Sequence, residues 1–285
     1  MGLSLSNNNS STGPKFRKKK MSRIKNGPVL WIDFTDRRTV YTDDMNTNAN
    51  HGDYIYAVSN KAFDKRFGKA NNAALGTGLK QATSNKRPRW TANVDLPYAT
   101  FINTPDTNSL FANELVGNVG NTLLSQSRLE GDALTFFIVF NLVNSSATCN
   151  IFSMKAGDGA GGQDPIIFQI PTDQKVKMFI GDQSDKSGTV LLDSNSTIVS
   201  NALQLWTVRL QTGGASVMRK NGGPSIGNGV SKDHTYAFDI NNNHLIEIGS
   251  HVNGLKMYEI LVFNEVLPDK EMFEVERQLK QKYNL

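Results

Sequence analysis

One stretch constrains this chain more than any other. From Leu134 to Leu142 the apolar side chains alternate, and both faces are apolar. Leu134, Phe136, Ile138, Phe140 and Leu142 share one face, and Phe137 and Val139 lie on the other. Successive side chains of a strand point to opposite sides, so this pattern predicts a central strand covered on both sides.

The flanking sequence is of the same kind. Val29–Phe34 follows the Gly27-Pro28 breaker and reads as a first strand. In Leu203–Gln211, Leu203, Leu205 and Thr207 alternate with Trp206, Val208 and Leu210. Thr212-Gly213-Gly214 then turns the chain into a partner strand, Ala215–Lys220, closed by Asn221-Gly222-Gly223-Pro224. Shorter strands are expected at 53–58, 99–102, 150–153, 166–170 and 176–180, with the last two at 244–249 and 255–263. Residues 64–93 are rich in Asn, Gly and Lys and read as a long loop, and 110–124 is ambiguous.

A helix is expected at the end of the chain, over 268–283. Pro268 suits a first helical position, Asp269 and Glu271 lie in the first turn, and Lys280 and Lys282 lie in the last. Met272, Val275, Leu279 and Tyr283 form one apolar stripe able to dock on a sheet.

The chain has 285 residues, enough for one large sandwich. Its single cysteine, Cys149, cannot form an internal disulfide and reads as a buried structural thiol beside Ile151 and Phe152. No apolar run is long enough for a membrane helix, and residues 1–11 lack the apolar segment of a signal peptide. Synthesis in a cytoplasm, its own or a host's, is the expectation.

Charge is unevenly placed. Lys15, Arg17, Lys18, Lys19, Lys20, Arg23 and Lys25 give residues 1–32 a charge of +7 with no acid. The whole chain carries +5, so the remainder carries −2. Three readings of this arm stay open. It is a solvated tail, or it engages an acidic protein surface or nucleic acid phosphates without sequence preference. The third reading is lipidation: Met1-Gly2-Leu3-Ser4-Leu5-Ser6 fits an N-myristoylation pattern at Gly2, with the basic run as the second membrane signal.

Three segments, in this order, resemble the concanavalin A-like lectin/glucanase superfamily in its laminin-G-like form, frequent among phage and viral structural proteins. They are Pro28-Val29-Leu30-Trp31-Ile32-Asp33 with Lys86-Arg87-Pro88-Arg89-Trp90; Leu205-Trp206-Thr207-Val208-Arg209 with Val217-Met218-Arg219-Lys220-Asn221-Gly222; and Leu255–Asn264 with the helix from Pro268. The resemblance covers residues 28–285. It implies an all-β jelly-roll sandwich of two antiparallel sheets with one C-terminal helix, preceded by the basic arm 1–27.

Glucanases of that superfamily carry an E-x-D-x-x-E strand, and this chain has none; the last strand holds a lone glutamate, Glu259. Asp158, Asp164, Asp182 and Asp185 lie in Gly-rich stretches and read as turn residues, with calcium ligation as a lesser alternative. His51, His234, His244 and His251 show no metal-binding spacing, and no catalytic Ser motif occurs. The expectation is therefore a protein that is not an enzyme and needs no cofactor or metal. Two functions fit. The first is a virion structural protein, a capsid decoration, minor capsid or fibre-associated subunit, attached through its arm and oligomeric within the assembly. The second is a carbohydrate-binding module or adhesin. For the second, Trp31 and Trp206 read as core, which leaves Trp90 as the candidate exposed glycan platform.

Overall fold

The computed structural model describes residues 27–28, 30–43, 46–62, 79–81, 83–102, 110–113, 133–143, 148–156, 166–182, 185–211, 216–226, 228–229, 244–250, 254–263 and 265–285. The basic arm residues 15–25, Gly2, Asp158, Asp164, His234 and His251 lie outside them.

The strands, in chain order, are β1 (Leu30–Asp33), β2 (Val40–Tyr41), β3 (Ala57–Val58), β4 (Leu79–Lys80), β5 (Arg89–Thr91), β6 (Tyr98–Phe101), β7 (Leu110–Asn113), β8 (Ala133–Leu142) and β9 (Cys149–Ala156). They continue with β10 (Ile166–Ile170), β11 (Lys175–Asp182), β12 (Asp185–Thr197), β13 (Gln204–Gln211), β14 (Val217–Lys220), β15 (Asn228–Gly229), β16 (His244–Ser250) and β17 (Leu255–Phe263); one long helix follows, α1 (Asp269–Tyr283). The described strands form two antiparallel sheets. The first runs β14-β13-β8-β17-β6-β5, with β1 also on β17; the second runs β15-β12-β11-β10-β9-β16-β7-β4-β3-β2.

The predicted double covering of β8 is observed. Leu134, Phe136, Ile138, Phe140 and Leu142 face the second sheet, where Phe136 meets Phe152 and Phe140 meets Phe168 edge to face at ring separations of 5.7 and 6.3 Å. Phe137 and Val139 face the opposite way, under the Met272, Val275, Leu279 and Tyr283 stripe of α1. Burial of each such side chain stabilises the fold by about 1.5–3 kcal/mol, so the helix is held mainly by its stripe. Its N-terminus is also tied down, because Arg209 pairs with Asp269 and donates to the Leu267 carbonyl. Its C-terminus closes on Asn284 in the left-handed conformation.

Two expectations need correction. The stretch 64–93 is not all loop, since β4 and β5 fall within it; the period-2 alternation of Arg89, Trp90 and Thr91 outweighs its polar composition. Asp185 opens β12 and pairs with Asp182 across a hairpin, so neither aspartate sits outside the strands. Gly249 is required where it stands: its φ is +77°, and a Cβ there would lie 2.3 Å from Phe101 Cδ1.

Candidate functional site

The outer face of the first sheet is divided by one irregularity. Between Met257 and Glu259 the register of β17 against β8 shifts by a bulge. Met257 and Ile260 remain in the inter-sheet core, while Tyr258 joins the cluster under the helix. A bulge re-aims a side chain in this way. Here it turns Glu259 to the outer face as well, beside its register partner Asp33 on β1.

Those two carboxylates anchor a buried polar cluster. Lys282 Nζ of α1 donates to Glu259 Oε2 at 2.7 Å and to Asp33 Oδ2 at 3.1 Å. The Tyr283 hydroxyl donates to Glu259 Oε2 and Trp31 Nε1 to Glu259 Oε1, both at 2.6 Å. Lys61 Nζ donates to Asp33 at 2.8 Å and to Asp36 at 3.1 Å, and lies over the Trp31 ring. Burial alone would raise the Asp33 pKa, but the ammonium groups of Lys282 and Lys61 outweigh it and hold that carboxyl well below its usual range. For Glu259 burial wins over Lys282, and its pKa rises. Burial would lower both lysines, but Asp33 with Asp36 or Glu259 outweighs it, and both are raised.

Glu259 is the lone carboxylate of its strand, as the sequence reads, and its partner Asp33 comes from β1. The pair is nonetheless closed to a substrate. Glu259 is 0% and Asp33 2% exposed, and α1 lies over them with both Glu259 oxygens already bonded. The cluster is an ionic latch between helix and sheet.

Beyond the bulge no described helix covers the same outer face, and this part is its open half. A cross-strand row runs over it, given by the pairs Asn141–Lys256, Lys256–Thr100, Thr100–Arg89 and Arg89–Tyr54. At about 4.8 Å per strand, Lys256 and Tyr54 stand roughly 14 Å apart across three spacings. The segment carrying Tyr54 closes one side of the sandwich. Ile55 N–H bonds the Pro88 carbonyl next to β5, and two residues on, at Ala57, the chain enters β3 of the second sheet. Tyr54, Tyr56, Arg87 and Arg89 line this wall, with Tyr54 47% exposed. Tyr98 flanks the row, its ring tilted against Tyr258 at the margin of the covered half.

Each of these tyrosines carries a cation. The Arg89 guanidinium lies 4.6 Å from the Tyr54 ring centre and donates to its hydroxyl at 2.7 Å. Arg87 lies 4.8 Å from Tyr56, its Nε fixed by the Gln81 carbonyl, and Lys256 lies 5.3 Å from Tyr98. Among the described residues no carboxylate forms an ion pair with Arg89 or Lys256.

Trp90, expected as the exposed platform, is buried. It is 2% exposed, packs in the inter-sheet core, and its indole N–H donates to the Phe34 carbonyl at 2.9 Å. The reason is phase: on β5 the arginine faces out, so the tryptophan must face in. The alternations Tyr54-x-Tyr56, Arg87-x-Arg89 and Tyr98-x-Thr100 are the signal that could have located the open face. Trp206 is buried as expected, and Trp31 is partly buried in the latch. Cys149 is buried and not in a disulfide. Among the described residues no cluster of His, Cys, Asp or Glu could hold a metal ion, and no helix is long and apolar enough to cross a membrane.

No protein-family model matches the chain, and no curated protein matches its sequence. Solved structures do. A receptor binding domain is 12% identical with a TM-score of 0.53, over 92% of this chain and 53% of that one. A botulinum neurotoxin type C structure, described in connection with cell entry through two ganglioside molecules, is 10% identical with a TM-score of 0.52, over 91% and 53%. The Trypanosoma rangeli sialidase, in complex with a difluorinated nononic acid, is 10% identical with a TM-score of 0.50, over 90% and 33%. The chain thus spans about half the length of the first two and a third of the sialidase. At such identities the likeness establishes the fold alone, a β-sandwich of antiparallel sheets.

Proposed function

We propose that this sandwich is a carbohydrate-binding domain that recognises its ligand on the open half of the first sheet. One observation carries the reading. The row Lys256, Thr100, Arg89 and Tyr54 sets ammonium, hydroxyl, guanidinium and phenol groups on rigid strands, each of these residues half-buried or exposed and none covered by a described helix. Such a set suits a ligand dense in hydroxyl and charged groups, and strand-borne groups are held more precisely than loop-borne ones. The solved structures of similar fold, described as binding a receptor, two gangliosides or a sugar acid, support the reading. Binding without turnover is part of it, because the one described carboxylate pair under this sheet is sealed in the latch.

The test is calorimetric titration of the full chain with a glycan panel. Arg89→Ala is expected to weaken binding at least about tenfold, as loss of a charge-assisted contact does. Phe273→Ala, on the outer side of α1, should leave it unchanged. A chain that holds no glycan of the panel would sink the reading.

The charge split favours a second role for the basic arm. Seven cations stand against a remainder of −2, which suits anchoring to an acidic surface of a larger assembly, a virion included. Lys18, Lys19 and Lys20 changed together to Ala should then reduce attachment, most strongly at low salt. Equal attachment by that variant at every salt concentration would leave the arm a solvated tail.

A further inference from the structure

We infer that the ligand of the open face is an acidic glycan, one whose sugars carry carboxylate or sulfate groups. The inference rests on the carbohydrate-binding reading and narrows it. A neutral sugar is commonly gripped by laying its apolar C–H face on an aromatic ring. On this face each of the three tyrosines already carries a cation, Arg89 on Tyr54, Arg87 on Tyr56 and Lys256 on Tyr98. What meets the ligand is therefore nitrogen with hydrogens to donate. The same covering opposes nucleic acid, whose bases need open rings for stacking.

Charge supports the same conclusion. Arg89 and Lys256 have no carboxylate in ion-pair contact among the described residues, unlike Lys61, Lys177, Lys282, Arg38, Arg209, Arg219 and Arg277. They sit two strand steps apart, with Thr100 between them as register partner of both. Their backbones are roughly 10 Å apart, near enough for one oligosaccharide to meet both side chains. The rings hold the two cations in fixed positions, so less side-chain freedom is lost when an anion binds. Planar guanidinium groups also pair in bidentate fashion with carboxylate and sulfate oxygens.

The arm would bind any polyanion, so the experiment must separate it from the face. The full chain carrying Lys18→Ala, Lys19→Ala and Lys20→Ala is the background, and Arg89→Gln with Lys256→Gln is placed in it. Immobilised oligosaccharides in neutral, uronic acid and sulfated forms, and a single-stranded DNA oligonucleotide, are the probes, with thermal melting to verify folding. The acidic forms should bind well above the neutral form and the oligonucleotide. The double substitution should weaken acidic-glycan binding at least about tenfold relative to that background. Neutral oligosaccharides bound as tightly as acidic ones would overturn the acidic assignment and leave the carbohydrate reading standing. Preference for the oligonucleotide, or no binding to any glycan, would overturn both. Unchanged binding in the double variant would remove the ligand from this face.

Discussion

Trp31 Nε1 donates to Glu259 Oε1 at 2.6 Å across a sequence separation of 228 residues. The bond joins the first described strand to the last, and the same carboxylate receives Lys282 and Tyr283 from the terminal helix. The helix is therefore fastened to the sheet by a group that the bulge in β17 turns outward.

Removal of that group should be costly. Glu259→Ala leaves the Lys282 ammonium, the Tyr283 hydroxyl and the Trp31 indole N–H buried with an acceptor lost, and about 3–5 kcal/mol of stability should go with it. Trp31→Phe removes only one neutral donor and should cost less, about 1–3 kcal/mol. Urea unfolding with equal losses for the two would show that Glu259 does not anchor the cluster.

The latch also sets a pH window. Asp33 and Asp36 are depressed from 3.8, Asp36 to about 2 because Arg38 and Lys61 outweigh its burial. Depressed carboxyls contribute stability present above pH about 4 and lost as pH falls through the folded-state values. Glu259 is raised and runs the other way, which blunts the acid loss. Lys61 and Lys282 are raised above 10.5, and burial pushes Tyr258 up to about 12, so their contribution is lost as pH rises through those values. Stability should fall on both sides of a plateau between about pH 5 and 10, with a shallower acid limb for Asp36→Asn. An acid limb unchanged in that variant would contradict the assignment.

Gly249→Ala should destabilise strongly, by about 2 kcal/mol or more, because it combines a left-handed backbone with overpacking against Phe101. Gly52→Ala is the comparison. Its φ is also positive, +86°, but nothing lies within 4 Å of the added Cβ, so thermal melting should show a clearly smaller loss.

Trp90 and Tyr54 should separate stability from recognition. Trp90→Ala empties a core site and should cost about 3–5 kcal/mol, whereas Tyr54→Ala should leave the melting midpoint nearly unchanged and weaken glycan binding by releasing Arg89. Glycan affinity insensitive to Tyr54→Ala at unchanged fold would argue against the open face.

Much of the architecture was legible in the chain itself. The two apolar faces of 134–142 required layers on both sides of β8, and the stripe of 268–283 supplied one of them. The hairpin of β13 and β14 followed from alternation and from Thr212-Gly213-Gly214 between the two strands. These are local patterns, and the period of a strand or helix is written into consecutive residues. The latch and the open face were not legible, because both are made of residues distant in sequence. Asp33 meets Glu259 only through the pairing of β1 with β17, and Glu259 faces outward only because of a bulge. The basic neighbours of Trp90 suggest a surface residue, yet one short strand buries it and turns Arg89 outward. Which half of the first sheet stays open depends on where the helix docks and where its last turn finds Asp33 and Glu259. That is a matter of packing and buried charge between distant segments, which only the tertiary structure brings together.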